Sequence, residues 1–167
     1  MPDRPLFALG TLLFSATLLF GQAPAPEGSC VGLLAASTSL GPGCGNPTPN
    51  LFASPPVLGG AVFAMVSSSF PSAPTYVYMS IGSHTPVHLG WVTNCTVYVD
   101  LVNSANFFLI AQGFTDATGT LMLPLHRVPN DPSLHGLQLT IQAEIWDGNG
   151  PVFGDHLTNG ILLTVGC

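Results

Sequence analysis

The sequence predicts an all-β fold: a single antiparallel β-sandwich of about eight short strands, stabilised by disulfides. Three observations carry that expectation. Apolar and polar residues alternate with a period of two in several segments, most clearly from Leu137 to Trp146. Gly and Pro, 19 and 16 of them, fall in clusters between apolar runs, as turn punctuation does. Four cysteines make an even set. Beyond residue 25 no segment shows a sustained apolar stripe at helical spacing.

Taken in chain order, the elements begin with an export leader. Met1 to Arg4 is a short, poorly basic n-region, and Leu6 to Phe20 is an apolar run broken only by small or hydroxyl residues. Gly21-Gln22-Ala23-Pro24-Ala25 then offers small residues for cleavage. This layout predicts a signal peptide over 1–25 and one secreted domain over 26–167. The run falls short of the ~20 residues that a bilayer span needs, so an uncleaved anchor is the weaker reading. Cys30 follows Glu27-Gly28-Ser29, which is not a lipobox. No second apolar span follows, so no membrane span is expected once the leader is removed.

A first strand is expected over Val31–Ser37, before the turn cluster Gly41-Pro42-Gly43-Cys44-Gly45-Asn46-Pro47. Ser54-Pro55-Pro56 precedes a strand at Ala61–Ser68, and Pro71-Ser72-Ala73-Pro74 precedes one at Tyr76–Ile81. Cys95, Val97, Val99 and Leu101 alternate with Thr96, Tyr98 and Asp100, which places Cys95 on an inner face. Phe107–Gln112 and Thr120–Pro124 come next, then the turn Pro129-Asn130-Asp131-Pro132. In the strand that follows, Leu137, Leu139, Ile141, Ala143 and Ile145 should face the core. Gln138, Thr140, Gln142, Glu144 and Trp146 should face out. Asp147-Gly148-Asn149-Gly150-Pro151 reads as a tight turn, and Gly160–Val165 as the last strand.

In an oxidising compartment Cys30, Cys44, Cys95 and Cys167 read as two disulfides. Three pairings are possible, and sequence does not choose among them. The preferred one joins Cys44 to Cys95 and Cys30 to Cys167. The second bridge would tie the two ends of the mature chain, and in a chain-entropy treatment closing so long a loop contributes roughly 4–5 kcal/mol. A zinc site would need close Cys-x-x-Cys or Cys/His spacing, which is absent.

Charge excludes some function classes. Only 6% of residues are charged, there is no Lys, and the two basic residues are Arg4 and Arg127. Nucleic acid is not an expected partner, because phosphate contacts need clustered cations. A polybasic membrane-surface patch is ruled out for the same reason.

A series of short motifs carries a resemblance. It runs Gly43-Cys44-Gly45, Pro49-Asn50-Leu51, Pro56-Val57-Leu58-Gly59, Ser80-Ile81-Gly82 and Asn94-Cys95-Thr96-Val97-Tyr98-Val99. It continues with Gly119, Pro124, Pro132-Ser133-Leu134-His135-Gly136-Leu137, Gln142-Ala143, Asp147, Asn149, Gly154, Thr158-Asn159-Gly160 and Val165-Gly166. Over about Gly41 to Gly166 the chain resembles a group of uncharacterised exported bacterial β modules, found alone or at the ends of larger secreted proteins. It departs from them in having Asn94 where the group usually has Gly, and in a shorter stretch between Gly82 and Cys95. The resemblance implies a secreted β module. It matches the group's recurring cysteines to Cys44 and Cys95, leaves Cys30 and Cys167 as extras, and lends no catalytic residues.

The residues themselves offer few sites. His84 and His88 flank Pro86, which opposes a helix, and no third ligand is evident, so they read as loop histidines. Asp147-Gly148-Asn149-Gly150 lacks the later acid of a calcium loop. Asn94-Cys95-Thr96 is a formal glycosylation sequon, disfavoured if Cys95 is buried. Neither a nucleophile elbow nor a cofactor motif is present, so no cofactor and no metal are expected. Glu144 and Asp100 both fall on predicted outward faces and could form a glycosidase-like carboxyl pair. Aromatic rings are the better ligand-binding candidates: Trp91, Trp146 and Tyr98, with Tyr76 and Tyr78. Exposed on a β face, such rings could stack on sugars.

The expected function is therefore non-catalytic: a secreted or cell-surface module for adhesion, assembly or carbohydrate contact. Its partner would be a cell-surface polysaccharide or another secreted protein. The alternatives are a secreted hydrolase using surface carboxylates, and a purely structural, self-associating subunit.

Overall fold

A computed structural model describes residues 32–83, 85–90 and 95–167. The leader, Cys30, His84, Trp91 and Asn94 lie outside the described residues. Eleven strands run in order: β1 (Ala36–Gly41), β2 (Asn50–Ala53), β3 (Ala61–Ser67), β4 (Pro74–Ile81), β5 (Val87–His88), β6 (Thr96–Val97), β7 (Phe107–Phe114), β8 (Thr120–Arg127), β9 (Gln138–Gly150), β10 (Gly154–Leu157) and β11 (Gly160–Thr164). The main sheet has the order β1-β11-β9-β4-β7, with β10 also paired to β9. A three-stranded sheet, β2-β3-β8, packs on one of its faces, and β5 and β6 form a small ribbon. Every strand pair is antiparallel.

The core between the two larger sheets follows from the period-two pattern. Ile141, Ala143 and Ile145 of β9, with Val77, Ile161 and Leu163, meet Leu51, Ala53, Ala64, Val66 and Leu123. Each fully buried aliphatic side chain contributes about 1.5–3 kcal/mol. The predicted all-β antiparallel fold and the Cys44–Cys95 disulfide are both present.

Two expectations about that fold are corrected. First, β1 begins at Ala36, later than Val31, and β9 runs on to Gly150 rather than ending at Trp146. Asp147–Gly150 is therefore strand, and the turn falls at 151–153. Second, the outward face of β9 is not all solvent-facing. Thr140 and Gln142 are 0% and 2% exposed.

The segment after Cys95 covers them as a third layer. Gln142 accepts the Tyr98 N–H through Oε1 at 2.9 Å, and its Nε2 donates to the carbonyls of Thr96 (3.0 Å) and Thr158 (2.8 Å). Ser80 Oγ accepts the Asp100 N–H at 3.2 Å. The Cys44–Cys95 disulfide fixes the start of this cap, and Val97, Val99 and Leu157 pack with it into a second apolar cluster. Cys95 is thus interior, but the predicted alternation after it is corrected: Thr96 and Tyr98 are buried as well, Leu101 is 54% exposed, and only Thr96–Val97 is strand, because the cap is packed from both sides.

Candidate functional site

The cap covers only half of that face. Beyond Tyr78 and Gln142 the main sheet is open, and register sets what it displays. Pro74 of β4 pairs with Phe114 of β7. Trp146 follows the Thr75–Ile145 pair by one residue, which brings it level with Pro74, and it pairs with Asp155 of β10. A row Phe114–Pro74–Trp146–Asp155 therefore crosses four neighbouring strands. The next row holds Gln112, Tyr76, Glu144 and Leu157. Trp146 is 51% exposed and Phe114 67%. Two strand spacings place them about 10 Å apart.

Local backbone geometry holds the indole. Phe153 and Gly154 take positive φ (53° and 101°) in the β9–β10 turn. A Cβ on Gly154 would lie 3.0 Å from Trp146 Nε1, so only Gly lets the ring lie across this turn. Phe153 stands 85% exposed beside it.

Next to the aromatic row is a carboxyl pair. Glu144 and Asp155 interact across β9 and β10. Burial, followed by the charge of Asp155, raises Glu144 from its ordinary 4.5 to about 7. Asp155 is also raised, chiefly by burial, although Glu144 and His156 pull against the shift. Its Oδ1 is buried with no hydrogen-bond partner among the described residues. Tyr78 is pushed up to about 12 by burial, then by Glu144 and Asp155. Asp147 behaves differently: burial raises it, but the Asn149 N–H (2.8 Å) and the His156 ring (2.9 Å) outweigh that and lower it.

Between cap and open sheet lies a cleft of about 290 Å³, walled by Tyr78, Val97, Val99, Phe107 and Leu157, with Glu144 on its edge. Tyr78 and Phe107 stack in it with centroids 5.0 Å apart. Two adjoining carboxyls can share one proton and accept hydrogen bonds from hydroxyls.

The sequence-derived candidates divide. Trp146 is exposed as expected. Tyr98 is not a ligand contact: it is 4% exposed, its hydroxyl donates to the Pro42 carbonyl at 3.1 Å, and its ring lies on Gly160, where any Cβ would collide with it. Trp91 lies outside the described residues. Asp100 does not meet Glu144. It accepts the N–H groups of Val102 and Asn103 at 3.0 and 3.1 Å, and its own N–H is bound at Ser80. Ser80 pairs with Thr140, four residues from Glu144 along β9, or about 13 Å. His88 is exposed, with Nδ1 2.9 Å from Thr96 Oγ1.

Cys44 and Cys95 form their bridge, and no cysteine among the described residues is free. With Cys30 outside those residues, the expected Cys30–Cys167 pair is not described. Nor do three or more His, Cys, Asp or Glu gather among the described residues to hold a metal.

Sequence reasoning missed Phe114 and the Glu144–Asp155 pair. The available signal was Gly154-Asp155-His156-Leu157, a short alternation hidden beside a turn. Compared with family models, curated proteins and solved structures, the chain matches none.

Proposed function

We propose that this chain is a non-catalytic, secreted or cell-surface binding module whose open half-sheet contacts polysaccharide. One observation carries the reading: Phe114 and Trp146 stand exposed at one level across β7, β4 and β9, beside paired carboxyls. Rings offer flat apolar faces to sugar rings, and carboxyls accept from sugar hydroxyls. Exposed aromatic groups clustered with acceptors mark a contact surface more than a folding need. The disulfide suits an oxidising, extracellular setting.

The test is retention of the purified oxidised chain on insoluble polysaccharides and cell envelopes, with Trp146→Ala and Phe114→Ala beside it. Saturable binding that weakens about tenfold in each variant, or 1.4 kcal/mol, fits this face. Folded wild-type protein that binds nothing, or binding unchanged in both variants, removes the reading.

A second reading, assembly, has its own observation. Phe52, Met65 and Met122 pair in a row across the outer face of β2-β3-β8, and Phe52 and Met122 are exposed. Concentration-dependent sedimentation abolished by Met122→Lys would favour it.

A further inference from the structure

The opposite end of the sandwich holds a different feature. Where β3 and β8 meet, the register slips between Ala61 and Phe63, and in β7 it slips opposite Val77 and Tyr78. The second slip leaves Ile110 as an extra residue packed toward the core. The two large sheets there flank a half-open cavity of about 220 Å³. Its walls are apolar and include Met79, Ile110, Leu125, Leu137, Ile141 and Leu163.

His126 and Arg127 also line it, and both residues are exposed, which places them at the mouth. Arg127 is the one Lys or Arg among the described residues of a chain with net charge −6. Its Nε donates to the Gly59 carbonyl at 2.7 Å, and this is its one hydrogen bond among the described residues. That bond leaves the terminal nitrogens of the exposed guanidinium in excess. Asp131, close in sequence, turns its carboxylate to the Ser133 N–H at 2.9 Å.

We propose that this cavity binds a medium-chain amphiphile with a carboxylate head, its tail between the sheets and its head on Arg127. Charge complementarity selects that occupant: an anion is repelled by the acidic remainder of the described residues and accepted at Arg127, the one Lys or Arg among them. Size sets the tail. A 150 Å³ apolar cavity accommodates benzene, so this one has room for about nine non-hydrogen atoms.

The probe is octanoate against 1-octanol, titrated calorimetrically into the full chain. Methionine methyl resonances are followed in parallel. Octanoate should bind at least tenfold more tightly than octanol. Both should shift the methyl of Met79 and leave Met65 and Met122, on the outer face of β2-β3-β8, unmoved. Arg127→Gln should erase the preference and Arg127→Lys should keep most of it. Equal affinity for acid and alcohol overturns the proposal, and so does a preference that survives Arg127→Gln. Saturation without movement of Met79 overturns it, as does absence of binding, including absence because the chain's own Leu6–Phe20 segment fills the cavity. The polysaccharide face lies at the other end of the molecule, so neither result decides the other.

Discussion

Gln142 joins three parts of the chain through one amide. Its oxygen serves the Tyr98 N–H, and its nitrogen serves the carbonyls of Thr96 and Thr158, all out of water. Gln142→Leu keeps much of the volume and strands those groups. Each buried, unpaired polar group costs about 1–3 kcal/mol, so urea unfolding should show a loss of at least about 2 kcal/mol. Tyr98 and Trp146 make a sharper contrast. Tyr98→Ala should remove about 3–5 kcal/mol of stability, because it empties the interior site over Gly160. Trp146→Ala should cost less, about 1–2 kcal/mol, since half of its surface is already wet. Equal effects in the same unfolding experiment would mean that the two rings have been assigned to the wrong environments.

Among the elements, the cap depends most on a covalent tie. Cys44 and Cys95 are 51 residues apart, so Cys44→Ser with Cys95→Ser should cost up to about 4 kcal/mol. Hydrogen exchange should then speed up first at the Tyr98 amide, ahead of those of β9. How far such elements could be read from the residues depended on where their partners lie. β3, β4, β7, β8, β9 and β11 were legible because each carries enough alternation to declare an inner face. β2 spans only four residues, too few for a pattern to stand out. β10 places a buried His156 at an inward position, which reads as polar until its Asp147 contact and its stacking on Phe70 (4.0 Å) are known. The burial of Thr140 and Gln142 was illegible for a related reason. Their cover comes from a segment more than 40 residues earlier in the chain, as the 44-residue separation of the Tyr98–Gln142 bond shows. Trp146 was legible as an outward residue. Its neighbours Asp155 and Phe114 were not, because strand register is invisible in one strand alone.

For the whole molecule, the carboxyls pull stability in two directions with pH. Asp116 is held low by its Thr118 and Thr120 hydrogen bonds, and Asp131 by Ser133, so their contributions fade as pH falls through those lowered values. Glu144 works oppositely. Its folded form holds a proton up to about 7 while the unfolded chain releases it near 4.5, so stability declines as pH rises between those values. Thermal midpoints should therefore fall from about pH 5 to pH 7, and Glu144→Gln should flatten that slope. A midpoint that rises over the same interval in the wild type would contradict the environment assigned to Glu144. A last consequence comes from β9, which is roofed on both sides from Thr140 to Ala143 and open on one side beyond. Its first half admits few substitutions without loss of the fold; in its second half Asp147 holds His156 and a Cβ at Gly150 would meet the Asp155 backbone, which leaves the exposed Trp146 and Asn149 as its freest positions. Descendants of such a chain could acquire new ligands by altering residues 146 and 149, with inheritance of the scaffold and drift of the specificity assigned to successive halves of one strand.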